Sequence, residues 1–170
     1  MIKTAWGGKS LQRDFRPPSA GGEVGPFYTR MLAEVHEALA DARERFPALE
    51  GRAPRLTGLV WFQGWNDGCG KGNPKYTEQL ACLIRDLRKE LKTPKLPVVI
   101  GELGIDGAKP MGWIETFRKQ QAAVAAVPEF KGNVLLAKTA QCWPPWYKAL
   151  DDKWRAFKAK EKAWRAKRTA

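Results

Sequence analysis

Histidine is nearly absent from the 170 residues: His36 stands alone, and serine occurs only as Ser10 and Ser19. Hydrolysis through an activated hydroxyl needs a nucleophile and a base within hydrogen-bond reach of each other, so that scarcity constrains every such mechanism for this chain. Cysteine is sparse as well. Cys69, Cys82 and Cys142 are odd in number and form no Cys-x-x-Cys pair, which argues against a disulfide framework and a zinc site of ordinary spacing and leaves free thiols. No apolar run reaches the ~18 residues that a bilayer crossing needs. Met1 to Trp6 carries no apolar stretch of the kind that opens a secretion signal, and it runs straight into Gly7-Gly8. On these grounds the sequence reads as that of a soluble, unexported chain.

Positive charge, by contrast, is abundant. Thirty Lys and Arg against eighteen Asp and Glu give +12, a balance that disfavours a basic polymer as substrate and permits nucleic acid, anionic surfaces or acidic glycans. Nine of the cations and three of the acids fall between Lys148 and Ala170, so half of the net charge sits in that tail. The tail is rich in helix formers and sets Leu150, Trp154, Phe157 and Trp164 near one face at helical spacing. A basic amphipathic helix is therefore expected over 148–170, after a domain over 1–147. Such a helix could neutralise phosphates or lie on an anionic membrane. Aromatic side chains at this spacing more often pack onto a domain, so docking on the sheet is the expectation and nucleic acid is not the expected partner. Hydrophobic residues make up 44% of the chain, enough for one globular domain.

The remainder alternates short apolar runs with amphipathic helices. Ile2 to Trp6 is expected as a strand, followed by a long loop over Arg16–Pro26 whose Pro and Gly content forbids regular structure. Met31, Val35, Leu39, Ala42 and Phe46 recur at three and four, which predicts a helix over Phe27–Phe46 closed by Pro47. Leu56–Phe62 has the β-branched and aromatic content of a buried strand. A helix face at Tyr76, Leu80, Leu83, Ile84, Leu87 and Leu91 precedes a strand at Pro97–Ile100, a helix over roughly Trp113–Val127 and a strand at Asn133–Ala137. Strands alternating with helices in this way imply right-handed crossovers and a parallel sheet covered on both faces.

In an open parallel sheet, ligands bind beyond the carboxyl ends of the strands. Four such ends are expected here, at Gly7–Ser10, Gln63–Asp67, Gly101-Glu102 and Thr139–Gln141. The second is the most informative. Gly64 lets backbone approach a ligand, and the Asn66 amide offers N–H donors for a developing negative oxygen. Asp67 would orient its neighbours or begin a helix cap. The plainer alternative is that Gly-Trp-Asn-Asp-Gly is only a turn, since those are ordinary turn residues. Glu102 is either a site group or a carboxylate bonded to loop N–H groups. Gly68-Cys-Gly-Lys-Gly72 lacks the Gly-Lys-Ser/Thr ending of a phosphate-binding loop and reads as a surface loop.

The strings Ile2-Lys-Thr-Ala-Trp-Gly-Gly-Lys-Ser-Leu11 and Trp61-Phe-Gln-Gly-Trp-Asn-Asp67 resemble the second and third blocks of the SGNH hydrolase superfamily. Within it they resemble the sialate O-acetylesterase and acetylxylan esterase domain related to carbohydrate esterase family six. Val98–Gly104 and the entry Gly132-Asn133-Val134 are similar in kind and order, and the likeness runs from about residue 1 to about residue 143. It implies a three-layer α/β/α flavodoxin-like fold, incomplete at both ends. The activity implied is hydrolysis of acetyl esters on carbohydrate, without metal or organic cofactor. Gly7 or Gly8 and Asn66 would hold the oxyanion, Gln63 and Asp67 would stand beside it, and Trp65, Glu102, Trp143 and Trp146 would face the sugar. Relatives are commonly exported, which leaves the compartment open.

Three departures from that pattern bear on activity. The family's nucleophilic Ser belongs to a first block preceding the second by several dozen residues, where here only Met1 precedes it, and its base is a His in an Asp-x-x-His block near the C-terminus, where no histidine follows Trp143. Relatives often carry Glu where this chain has Trp65. Ser10 reads better as a turn cap and His36 as a solvated helix residue. The expectation is an inactive chain that depends on a missing N-terminal segment or a complementing chain, or a binding module that has shed its chemistry.

Overall fold

The computed structural model describes residues 1–49, 52–110 and 112–169. Five α-helices and three strands follow in the order α1 (Pro26–Arg45), β1 (Leu59–Trp61), α2 (Trp65–Gly68), α3 (Tyr76–Glu90), β2 (Val98–Gly101), α4 (Trp113–Ala125), β3 (Val134–Ala137) and α5 (Pro145–Thr169). Helices α1, α3 and α4 lie within a residue or two of their expected spans because each has an apolar stripe at the helical period. All three strands are parallel in the order β1-β2-β3. Trp61 stands opposite Ile100, and Ile100 opposite Leu136. The architecture is that of an incomplete α/β domain.

One face of the sheet carries the core. Trp61, Val98, Ile100 and Val134 are buried against Leu80, Leu83, Ile84 and Leu87 of α3 and Phe117 and Val124 of α4. Two buried polar side chains lace the sheet to its helices. Gln121, fully buried on α4, donates to the carbonyls of Gly101 and Gln63 at 3.2 and 3.3 Å and accepts from the Leu103 N–H at 2.8 Å, joining the ends of β1 and β2. At the opposite end Arg88 of α3 donates to the Leu96 carbonyl and to Oδ1 of Asn133, tying the entries of β2 and β3. Buried polar groups of this kind hold their place only when their bonding capacity is met, and here each has a partner from a different element.

Three expectations are corrected. Ile2–Trp6 enters no sheet; Trp6 anchors the segment by its ring, 5.0 Å from Phe27 and 6.0 Å from Phe15, so side-chain packing replaces the ladder a strand would need. The cover expected on the second sheet face is the part that is incomplete: Val60 is 72% and Leu135 61% exposed. Nor does the tail dock. Helix α5 begins three residues before the expected Lys148, and Leu150, Trp154, Phe157 and Trp164 on it are all exposed.

Helix α1 contributes Tyr28 and Met31 to the core. The Tyr28 hydroxyl is buried without a hydrogen-bond partner. Burial first, and then the carboxylates of Asp86 and Glu90, push its ionisation up to about 12. The folded state therefore grips this proton more tightly than the unfolded chain, where tyrosine ionises near 10. Stability from this group is complete below pH 10 and is lost as pH rises towards 12. Tyr28→Phe removes the unpaired hydroxyl, so urea unfolding at neutral pH is expected to give unchanged or higher stability, by up to about 1 kcal/mol. The same variant should flatten the alkaline loss. A fall of more than about 2 kcal/mol at neutral pH would mean that the hydroxyl is bonded after all.

Candidate functional site

Beyond the carboxyl end of β1 the chain runs Phe62-Gln63-Gly64 into the single turn of α2. Gly64 sits so close to the Phe117 ring that a Cβ there would collide with it, which explains the glycine by close approach. The turn brings Asn66 and Asp67 to face the Gly8–Gln12 loop, more than fifty residues away in sequence. Asn66 is exposed and donates through Nδ2 to the Gly8 carbonyl at 2.6 Å. Gly8, at φ +70°, adopts a left-handed conformation suited to glycine.

Asp67 is the hub. It is 2% exposed. Oδ2 accepts the Leu11 N–H at 2.6 Å and Gln63 Nε2 at 2.7 Å, while Oδ1 accepts the Gln12 N–H at 3.0 Å and Asn73 Nδ2 at 2.9 Å. Gln63 in turn donates to the Lys9 carbonyl at 3.0 Å. Beneath it the Tyr76 hydroxyl receives the Trp61 indole N–H at 3.2 Å and donates to the Gln63 carbonyl at 3.2 Å. Burial pushes the ionisation of Tyr76 far up, so it stays a neutral donor. On the far side of the loop Asp14 caps the turn that follows Ser10, accepting the Ser10 N–H at 2.8 Å and its hydroxyl at 2.9 Å. Burial opposes the charge on Asp14, but the Ser10 bonds and Lys9, 3.5 Å away, outweigh it and hold the carboxyl below its ordinary range.

Two open clefts meet at this edge of the sheet. One, of about 240 Å³, is bordered by Trp6, Gly8, Lys9, Gln63 and Asn66. The other, of about 350 Å³, is bordered by Ile105, Thr139, Cys142 and Trp143 and is almost wholly apolar. Phe62, Trp65 and Leu103 border both. Of the residues singled out from the sequence, the fold thus brings Gly8, Gln63, Trp65 and Asn66 together on one cleft and Trp143 onto its neighbour. Gly7 borders neither cleft. Asp67, grouped by sequence with the oxyanion residues, is buried behind the loop as its support. Glu102 is also buried, accepting the Ala140 N–H at 3.2 Å, while its own carbonyl accepts the Thr139 hydroxyl; it builds the turn over Thr139–Cys142. Trp146 is 66% exposed on the first turn of α5. Among the described residues no group of three or more His, Cys, Asp or Glu is arranged to hold a metal.

Sequence reasoning missed Asn73, Tyr76, Gln121 and Lys9 as parts of the site. Asn73 lies before Pro74 in what reads as a loop, yet it is 2% exposed and bonds both Asp67 and Gln79. Asp67→Ala leaves four N–H groups without an acceptor. It is expected to lower stability by at least about 2 kcal/mol in denaturant unfolding and to raise amide exchange at Leu11 and Gln12. A change below about 0.5 kcal/mol would remove Asp67 from that role.

A family described as carbohydrate esterase, sialic acid-specific acetylesterase, matches residues 1–139. Among solved structures, a protein from Arabidopsis thaliana superimposes with a TM-score of 0.54 at 20% sequence identity, over 77% of this chain and 44% of that one. The likeness shows a shared fold, of which this chain spans less than half the neighbour's length. No curated protein matches. With the family match extending over most of its residues, the chain belongs to the carbohydrate esterase, sialic acid-specific acetylesterase family.

Proposed function

We propose that the Gly8–Asn66 cleft receives the acetyl ester of an O-acetylated carbohydrate and that this chain alone does not complete the hydrolysis. The observation that carries the reading is a pair of unspent donors at one wall. Asn66 commits one amide N–H to the Gly8 carbonyl, which fixes the rotation of the side chain and leaves the second N–H available. The Gly8 N–H likewise has no acceptor among the described residues. Two N–H groups held by a rigid loop are what a developing oxyanion requires, and they need no reorganisation when charge appears. Trp65, 51% exposed, and Trp143 offer ring faces along the adjoining apolar cleft, suited to the apolar face of a sugar.

The nucleophile and base are not among these groups. Ser10 is 4% exposed, and its hydroxyl is spent on Asp14 and also accepts the Arg13 N–H at 3.3 Å. Ser19 is exposed in the 3-10 turn Pro18–Ala20, its N–H donating to Asp86, and His36 is exposed on α1. Among the described residues no hydrogen bond links His36 to either serine. The chain therefore supplies the oxyanion wall and the sugar-facing rings, and a separate segment or chain supplies the attacking hydroxyl and the imidazole. Without that complement it is a carbohydrate-binding module.

Two measurements test this reading. Purified chain should release p-nitrophenol from p-nitrophenyl acetate no faster than buffer, with Ser10→Ala and His36→Ala unchanged; turnover abolished by either substitution would overturn the inactive assignment. Titration with an O-acetylated sialoside, followed by NMR, should shift the Gly8 amide and the Asn66 side-chain signals, and Asn66→Ala should weaken binding by about tenfold, the value of one good hydrogen bond to a polarised oxygen. Shifts confined to other regions would overturn the site.

A further inference from the structure

Helix α5 runs 25 residues, and among the described residues no other element packs extensively against it. Apart from Asp151 and Glu161, every residue whose side chain is described on it is exposed, and those two are shielded by Arg155, Lys158 and Arg165, partners on the same helix. At 100° per residue, Trp146, Leu150, Trp154, Phe157 and Trp164 fall within about 80° of arc. Their exposures run from 54 to 66%. Trp154 and Phe157 stack at 5.7 Å. Lys153 and Lys160 border this arc on one side, Lys158 and Arg165 on the other. Glu161 falls inside the arc, and both Lys158 at 2.7 Å and Arg165 at 2.8 Å neutralise it there.

We propose that α5 lies along the surface of an anionic lipid bilayer, with the aromatic arc at the level of the acyl boundary and the bordering cations on the headgroups. Charge complementarity selects this occupant. Nine Lys and Arg against three acids from Lys148 onward attract a negative surface. Long Lys and Arg stems beside an apolar stripe extend to the headgroups while the rings enter the interface, and Trp prefers that depth. No helix of the described residues is long and apolar enough to cross the membrane, so the geometry is in-plane.

The other occupants fit less well. The bare sheet face of a second copy, around Val60 and Leu135, is three strands wide and four residues long at most, or about 13 Å along a strand. The arc from Trp146 to Trp164 extends about 27 Å. Nucleic acid would satisfy the cations but leave the rings without a partner, unless unpaired bases stacked on them.

The whole chain is to be sedimented with vesicles of phosphatidylcholine containing about one-third phosphatidylserine, and with phosphatidylcholine alone. Binding is expected to the former and to be at least about tenfold weaker to the latter. A Lys153→Glu/Lys160→Glu variant should lose about tenfold or more on the anionic vesicles, and Trp154→Ser/Phe157→Ser/Trp164→Ser should lose binding altogether. Circular dichroism reports whether each variant keeps its fold, which is expected because the substituted side chains are exposed. Absence of binding to anionic vesicles overturns the proposal. So does binding that survives the triple serine variant but vanishes at about 0.5 M salt, which marks a purely polyelectrolyte contact. Tighter binding to single-stranded DNA than to vesicles, or a dimer abolished by the serine substitutions, overturns it in favour of nucleic acid or a second copy.

Discussion

Everything at the carboxyl edge of the sheet depends on one buried carboxylate. Among the described residues Asp67 has no ion-pair partner; four N–H groups from three separate stretches of chain replace the water it lost. An ion removed from water without a counter-ion is tolerable only if its hydrogen bonds are nearly complete. That requirement runs in both directions. The carboxylate needs Leu11, Gln12, Gln63 and Asn73 where they are, and the loop bearing Gly8 is held against α2 because the carboxylate needs it. The exposed Asn66–Gly8 bond is a consequence: one residue before the hub, the amide arrives at the Gly8 carbonyl already positioned.

The same logic of satisfaction explains why the site lies at this edge. A parallel sheet ends with its strand carbonyls and loop N–H groups pointing out of the ladder, and side chains must meet them. Gln121 does so at the ends of β1 and β2, and Glu102 with Thr139 does so where β2 and β3 give way to the final turn. These polar supports stand under the two clefts. The aromatic wall of Phe62 and Trp65 rises between them because Gly101 leaves room for the Phe62 ring and Gly68 for Trp113, on which Trp65 abuts edge-on at 5.4 Å. Fold and site are therefore one arrangement, and the family membership follows from the stretch of chain that builds it.

Much of this was legible in the sequence where the deciding interaction is local. Helices α1, α3 and α4 follow from their apolar stripes, and β1, β2 and β3 from short β-branched runs between turn residues. Asn66 stood out because a Gly-x-Asn-Asp string has a chemical reading. Where the partner is remote the sequence is mute. Ile2–Trp6 has the composition of a strand, but a strand exists only if a neighbour's backbone is within reach, and composition carries no record of that. Asn73, Tyr76 and Gln121 are ordinary polar residues whose importance lies in contacts 6 to 58 positions away. Asp67 and Glu102 each read equally as a group facing the site or as a carboxylate supporting its neighbours, and burial, which only the fold decides, makes both supports. The tail was legible as a helix but not as a solitary one, since the same apolar spacing serves docking and exposure equally.

The anion site proposed at Gly8 and Asn66 is physically coherent without a nucleophile at hand. The costs of building such a site are the desolvation of Asp67 and the ordering of the Gly8–Gln12 loop, and both are met by folding itself, before any substrate arrives. A hydroxyl supplied from elsewhere would then need only to reach about 3 Å from the reacting carbon, with an imidazole in hydrogen-bond reach of that hydroxyl and the proposed donors already fixed. The reverse division would work poorly, because an oxyanion cradle assembled on binding would have to be ordered at the expense of the binding energy meant for the transition state. On the proposed reading, the electrostatic half of the machinery would rest on the buried network and the proton-transfer half on a separate element, a division that this network of hydrogen bonds permits.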